Sequence, residues 1–191
     1  MPRPETAWAD TRLVRECLRG DEDAWAALLD KYQNLIFSIP IKQGIPRDEA
    51  ADVFQRVCLL LMAELPRLRE ARALPMWIIR VTARESLRWR RQESRQAARE
   101  LTETETAALS DDRPLPEEVL AQLKEEQILR DAVRGLPPRC RQLVDMLFFE
   151  TPPRPYQEIA RSLGLAPGSI GFIRGRCLSR LRRELEKKGF R

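Results

Sequence analysis

The arginines near the end of the chain have the clearest chemical pattern in the sequence. Between residues 170 and 183 every charged side chain is an arginine, at positions Arg174, Arg176, Arg180, Arg182 and Arg183. Arg176, Arg180 and Arg183 recur at i, i+4 and i+7, so a helix would carry all three on one face. Guanidinium groups bind phosphate oxygens through paired N–H donors. This stretch therefore predicts a helix that binds a polyanion.

Two predicted helices would position these arginines. The first spans Tyr156–Leu163, Gly164 opens a three-residue turn, and Pro167 begins the second helix, where its missing N–H costs nothing. Apolar residues at three-to-four spacing give each helix one face to bury against the other. The pattern predicts a helix-turn-helix, whose second helix would enter the major groove. The alternative is an amphipathic helix pair whose arginines only keep a small bundle soluble.

The composition argues against most enzyme classes. The chain of 191 residues contains no histidine, which removes the commonest general base and the Ser-His and Cys-His nucleophile pairs. The four cysteines (Cys17, Cys58, Cys140 and Cys177) are far apart and form no CxxC pair, so we expect reduced, mostly buried thiols, no metal site and no cofactor.

Hydropathy predicts a protein that stays out of the membrane. At 43% hydrophobic and 33% charged residues, the composition is that of an ordinary globular protein. We find no apolar run of bilayer-spanning length and no signal-peptide segment after Met1, so we expect a cytoplasmic location.

Charge divides the chain into three blocks. Residues 1–91 carry a net charge of +3, residues 92–127 of −6 and residues 128–191 of +8. Two basic blocks suggest a polyanionic partner, whereas DNA would repel the acidic block between them.

Helical periodicity and breakers predict an all-α chain of two small domains. In residues 1–92, four helices are expected: Thr11–Arg19, one from Asp21 that Pro40 kinks or ends, Asp48–Leu65 with Met62 on its apolar face, and Met76 to about Gln92. Residues 93–116 read as an acidic linker, and residues 117–191 as a second helical domain that ends in the helix-turn-helix.

Five segments, taken in order, resemble the bacterial sigma factors of the extracytoplasmic-function group, which keep only two conserved helical regions. They are GDEDAWAALLDKY (20–32), AADVFQRVCLLLM (50–62), LPMWIIRVTARESLRWRRQ (74–92), GLPPRCRQL (135–143) and YQEIARSLGLAPGSIGFIRGRCLSRLRREL (156–185). The resemblance covers nearly the whole chain.

The resemblance implies contacts with core RNA polymerase. The segment containing Asp52, Phe54, Gln55 and Arg56 would bind the clamp helices, and the polymerase flap is a further expected contact. Asp52 and Gln55 match the polar contacts of the family, whereas Arg56 stands where the family usually has Glu and Cys58 where it has Phe. The alternative is a buried helix that happens to bear an Asp and a Gln.

The resemblance also implies that the first domain melts and reads the minus-ten promoter element as single-stranded DNA. Arg69 and Arg72 lie in the matching loop, and Arg80, Arg84 and Arg88 would form a phosphate track on the following helix. Trp77 aligns with a core tryptophan of the family. Glu85 and Trp89 replace the usual Asn and Asp, so the base contacts of the family cannot be transferred.

The second domain would read the minus-thirty-five element as duplex DNA. The DNA-contacting residues implied there are Ser169, Gly171, Phe172, Arg174, Arg176, Arg180 and Arg183. Gly171–Phe172 replaces the Lys/Arg-Ser pair of the family. Arg176 would contact a guanine or a phosphate, and Phe172 a thymine methyl group or the protein core.

The sequence thus predicts a non-enzymatic sigma factor that binds core RNA polymerase, recognises a two-part promoter and promotes DNA melting. An anti-sigma factor is a further candidate partner. The rival is a free-standing helix-turn-helix regulator with a helical dimerisation domain and a palindromic site. An enzyme such as a recombinase would need a catalytic domain that residues 1–91 do not suggest.

Overall fold

The structure, a computed structural model, describes residues 8–100 and 116–190, without the side chains of residues 96–100. Within those ranges every regular element is helical, which confirms the all-α class. The α-helices are α1 (Asp10–Leu18), α2 (Glu22–Lys42), α3 (Arg47–Glu64), α4 (Leu74–Glu100), α5 (Glu117–Arg134), α6 (Pro138–Phe148), α7 (Tyr156–Ser162) and α8 (Ile170–Lys187). Short 3-10 turns lie at Leu65–Arg67, Ala71–Ala73 and Pro167–Ser169.

Two compact units make up the chain, Met1–Lys124 and Glu125–Arg191. The second unit begins eight residues after the predicted start of the second domain at Glu117. Leu123, near the start of α5, is fully buried and belongs to the core cluster of the first unit. The first turns of α5 therefore belong to the first unit.

The helix ends follow from caps and breakers. Gly20, with φ of +84°, closes α1, and the side chain of Asp21 caps α2 by accepting a hydrogen bond from the Ala24 N–H at 3.0 Å. Helix α2 runs through Pro40 to Lys42, so the proline does not end it. Helix α4 continues to Glu100, past its predicted end near Gln92.

The extension of α4 has a simple cause. Residues 93–100 contain Glu, Ser, Arg, Gln and Ala and neither Gly nor Pro, so nothing in them breaks a helix. Residues 93–100 of the predicted linker are therefore helical, and residues 101–115 lie outside the described part of the chain.

The first unit packs α1 to α4 around a shared apolar core. Its fully buried members include Leu28, Ile36, Val57 and Ile78. Two buried hydroxyl groups on the inner face of α4 form hydrogen bonds within the helix. Thr82 donates to the Ile78 carbonyl at 2.7 Å, and Ser86 donates to the Thr82 carbonyl at 2.8 Å. With this face buried, α4 presents its arginines outward.

The second unit buries the inner faces of α6, α7 and α8. One cluster contains Leu143, Ile159, Ile170 and Cys177, and another contains Val144 and Leu181. No helix in the described ranges has the length and apolar character needed to cross a bilayer.

Candidate nucleic-acid interface

Two helices joined by a short turn, α7 and α8, lie where the sequence predicts a helix-turn-helix. Helix α7 ends at Ser162, and Gly164 adopts the left-handed conformation with φ of +60°. The Leu165 N–H donates to the Ala160 carbonyl at 2.8 Å, which closes the end of α7. Pro167 opens a 3-10 turn that leads directly into α8. The turn thus fixes where α8 begins.

A disulfide fastens the buried face of α8. Cys140 of α6 and Cys177 of α8 are bonded, with their Cα atoms 5.3 Å apart. The prediction of four reduced thiols is therefore wrong for this pair. Helix packing brings two cysteines that are 37 residues apart in sequence within the range that a disulfide spans.

The other two cysteines are free, as predicted. Burial raises the pKa of Cys17 to about 11 and also raises that of Cys58. Both thiols therefore stay protonated at neutral pH and are poor nucleophiles.

The opposite face of α8 is exposed and forms a shallow open depression, here called the recognition stripe. It is lined by Gly171, Phe172, Gly175, Arg176, Ser179, Arg180 and Arg183. Phe172 is 71% exposed, so it does not belong to the protein core. The guanidinium carbon of Arg176 lies 5.8 Å from the centre of the Phe172 ring, within cation–π range.

Two residues that were predicted to contact DNA lie outside this stripe. Arg174 donates from Nη1 to the Tyr156 hydroxyl at 2.6 Å and so bridges α8 to α7. Ser169 donates its hydroxyl to the Ala166 carbonyl at 2.7 Å, within the turn. Neither residue lines the depression. Ser179 does line the stripe. Sequence reasoning missed this residue, although it follows Gly175 at i+4.

On α4, the three predicted track arginines Arg80, Arg84 and Arg88 are exposed at i, i+4 and i+8. Trp77 is half-buried against the core cluster, in agreement with its predicted role. The arrangement gives α4 an outward row of three guanidinium groups.

Glu85 lies buried, 3% exposed, beneath Arg84 and Arg88 of this row and Arg56 of α3. Its Oε1 accepts from Arg84 Nε at 3.4 Å, and its Oε2 lies 4.0 Å from Arg88 Nη1 and 3.9 Å from Arg56 Nε of α3. Oε2 accepts no hydrogen bond from the described protein atoms. A buried carboxylate therefore neutralises part of the charge of three mostly exposed arginines.

The two arginines of the predicted minus-ten loop are exposed. Arg69 follows the Leu65–Arg67 turn, and Arg72 lies in the Ala71–Ala73 turn, where it forms an ion pair with Glu70. Exposure leaves Arg69 and Arg72 accessible to a polyanion, although the ion pair offsets the charge of Arg72.

The exposed face of α3 carries the predicted polymerase contacts. Asp52, Gln55 and Arg56 are exposed on it, whereas Phe54 is half-buried and stacks on Phe37 with ring centres 4.7 Å apart. The Phe54 ring thus packs against α2 through Phe37.

Two apolar residues extend this face, and sequence reasoning missed both. Leu59 is 68% exposed and Met62 59% exposed. Counted from Asp52, Gln55 lies at i+3, Leu59 at i+7 and Met62 at i+10, so all four lie on one side of α3. The prediction that Met62 packs inward is wrong, because Val57 and Leu61 fill the buried side.

No protein-family model matches this chain, and a search of curated proteins gave no significant match.

Proposed function

We propose that this chain is an alternative sigma factor of the extracytoplasmic-function group. It binds core RNA polymerase in the cytoplasm, directs it to a two-part promoter and helps to open the DNA. The chain itself is not an enzyme and needs no cofactor, since the polymerase performs the chemistry. The proposal rests on the resemblance of the five ordered segments together with the surfaces of the two units.

The recognition stripe is the observation that carries the proposal. A helix-turn-helix presents its second helix to the major groove, where side chains reach base edges and cations hold phosphates. On α8 the exposed side bears Phe172 and Arg176 in its first half and Arg180 and Arg183 further along. This order suits duplex contact with the minus-thirty-five element.

The arginine row of α4 supports a role with single-stranded DNA. A phosphate track needs cations that recur along one face, and Arg80, Arg84 and Arg88 supply them. Glu85 limits their net charge and holds two of them close to the helix surface. The exposed Arg69 and Arg72 of the preceding loop would add contacts to the minus-ten strand.

The exposed face of α3 supports a protein partner. Leu59 and Met62 expose apolar side chains on the same side as the polar Asp52 and Gln55. Mixed apolar and polar surfaces of this kind suit a protein interface. By resemblance the partner is the clamp of the polymerase, and the flap would contact the second unit. An anti-sigma factor would compete for the same face.

The test is co-migration of the full chain with purified bacterial core RNA polymerase in gel filtration, followed by run-off transcription on genomic fragments. We expect a stable complex and transcripts that core enzyme alone does not make. Duplex binding by the chain alone, without co-migration, would contradict the sigma-factor proposal and favour a free-standing regulator.

A further inference from the structure

Phe172 is the most exposed large hydrophobic residue of the described part of the chain, at 71%. Its ring stands beside Arg176, one helical turn along α8. The neighbouring stripe positions Gly171 and Gly175 have no side chains, and an added Cβ at either would meet no atom within 4 Å. The ring and the guanidinium group are therefore uncovered on the solvent side.

The chemistry of this pair specifies what it can read in a major groove. A guanidinium group donates two hydrogen bonds to guanine O6 and N7, and an apolar side chain contacts the thymine methyl group. The other stripe positions in this half of α8 are glycines, which offer no side-chain donor or acceptor. The readout therefore depends on one methyl group and one guanine edge.

Phe172 and Arg176 are close enough to address base pairs one or two steps apart. The distance of 5.8 Å between guanidinium carbon and ring centre compares with a rise of about 3.4 Å per base step. Resting on the proposed function, we propose that Phe172 and Arg176 together read a thymine and a guanine one or two base steps apart in duplex promoter DNA. Phe172 contacts the thymine methyl group, and Arg176 binds the nearby guanine.

Charge complementarity favours duplex DNA as the occupant of this face. Residues 128–191 carry a net charge of +8, and Arg180 and Arg183 continue the same stripe toward the phosphate backbone. The stripe itself exposes one large apolar side chain, Phe172, beside three arginines and no acidic residue.

The test starts with selection of duplexes from a random pool, using the full chain with and without core polymerase. In the selected duplex, uracil replaces thymine to remove only the methyl group, and 7-deazaguanine replaces guanine to remove only N7. We expect uracil to weaken binding about 4-fold, as for one lost methyl contact, and 7-deazaguanine to weaken it about 10-fold or more.

Variants separate the two contacts. Phe172→Ala should bind the thymine and uracil duplexes equally while it still prefers guanine over 7-deazaguanine. Arg176→Ala removes the guanidinium group, so it should bind the guanine and 7-deazaguanine duplexes equally. Arg182→Ala, at a residue outside the stripe, is the matched control and should keep both preferences.

The outcomes distinguish the two proposals. Enrichment of a duplex in which uracil or 7-deazaguanine has no effect would overturn the assignment of Phe172 and Arg176 and leave the proposed function standing. Retention of the thymine preference by Phe172→Ala would also overturn it. Failure to enrich any duplex, with or without polymerase, would overturn the proposed function itself.

Discussion

Arg56 of α3 and Glu85 of α4 face each other, with the Nε atom of Arg56 3.9 Å from Oε2 of Glu85. Both residues depart from the pattern of the family that the chain resembles, where Glu and Asn are usual. Because the two residues are in contact, the two departures belong together: the positive charge of Arg56 on α3 compensates the negative charge of Glu85 on α4. The contact also links the proposed polymerase-binding helix to the proposed minus-ten helix.

The first prediction concerns this pair. Arg56→Glu places a second carboxylate over a buried one and should lower the free energy of unfolding of the first unit. Arg56→Glu combined with Glu85→Asn removes the repulsion and should recover most of the loss. Because Arg56 is exposed, we expect a coupling free energy on the order of 1 kcal/mol or less.

Urea unfolding followed by tryptophan fluorescence measures this coupling. All four tryptophans (Trp8, Trp25, Trp77 and Trp89) lie in the first unit, so their signal reports that unit. Strictly additive effects of the two substitutions would show that Arg56 and Glu85 do not interact.

The second prediction concerns the α3 face. Leu59→Ser combined with Met62→Ser should abolish co-migration with core polymerase, because it removes the exposed apolar contacts. The tryptophan-reported stability should change by less than about 0.5 kcal/mol, as for other exposed sites. Leu18→Ser, at a residue 49% exposed on α1, is the matched control and should co-migrate normally. Normal co-migration of the double variant would place the polymerase contact elsewhere.

The helices, the turn and the core were largely predictable from sequence, whereas the exposure of particular side chains was not. Periodicity correctly predicted that α8 buries one apolar face, which contains Ile170 and Leu181, because the burial of an amphipathic helix depends on local spacing. It misplaced Met62, because α3 is apolar on more than one side and only the packed neighbours decide which side is buried. Periodicity also could not decide whether Phe172 is buried in the core or exposed.

The disulfide needed tertiary information. Nothing in the spacing of the cysteines pairs Cys140 with Cys177, since their contact depends on how α6 packs against α8. The pairing of Arg56 with Glu85 likewise depends on the packing of α3 against α4. Such relationships between helices become visible only in the folded chain.

The third prediction separates phosphate contacts from bystander arginines. Arg180→Ala and Arg183→Ala should each reduce the slope of log K against log salt concentration by about one. Arg182→Ala should leave the slope unchanged, because Arg182 pairs with Glu186 at 2.9 Å and lies beside the apolar flank of α8. Fluorescence anisotropy of a selected duplex over a potassium chloride series measures the slopes. Equal effects of all three would mean that the stripe does not define the phosphate contacts.

The fourth prediction concerns the disulfide. It closes a loop between residues 37 apart, so its reduction should lower the stability of the second unit by about 3–4 kcal/mol. Circular dichroism should show a lower melting temperature for that unit in dithiothreitol, while the tryptophan transition of the first unit stays unchanged. Cys140→Ser should melt at the same temperature with and without the reductant. A reductant effect that persists in Cys140→Ser would exclude the disulfide as its cause.

The fifth prediction concerns Asp145 of α6, whose pKa burial raises above its ordinary value, against the lowering effect of Arg141. The folded state therefore binds the Asp145 proton more tightly than the unfolded state does. Between the ordinary pKa of 3.8 and the raised value, this carboxyl makes the second unit less stable as the pH rises, and the penalty persists at neutral pH. Asp145→Asn removes the penalty.

Thermal unfolding followed by circular dichroism should therefore show that Asp145→Asn melts higher than the native chain at pH 7. The difference should shrink once the pH falls below the ordinary aspartate value, where both folded and unfolded chains hold the proton. Glu158→Gln, at an exposed position on α7, controls for the loss of one negative charge and should shift the melting temperature less at pH 7. A lower melting temperature for Asp145→Asn at pH 7 would mean that the attraction between Asp145 and Arg141 outweighs the cost of burying the charge.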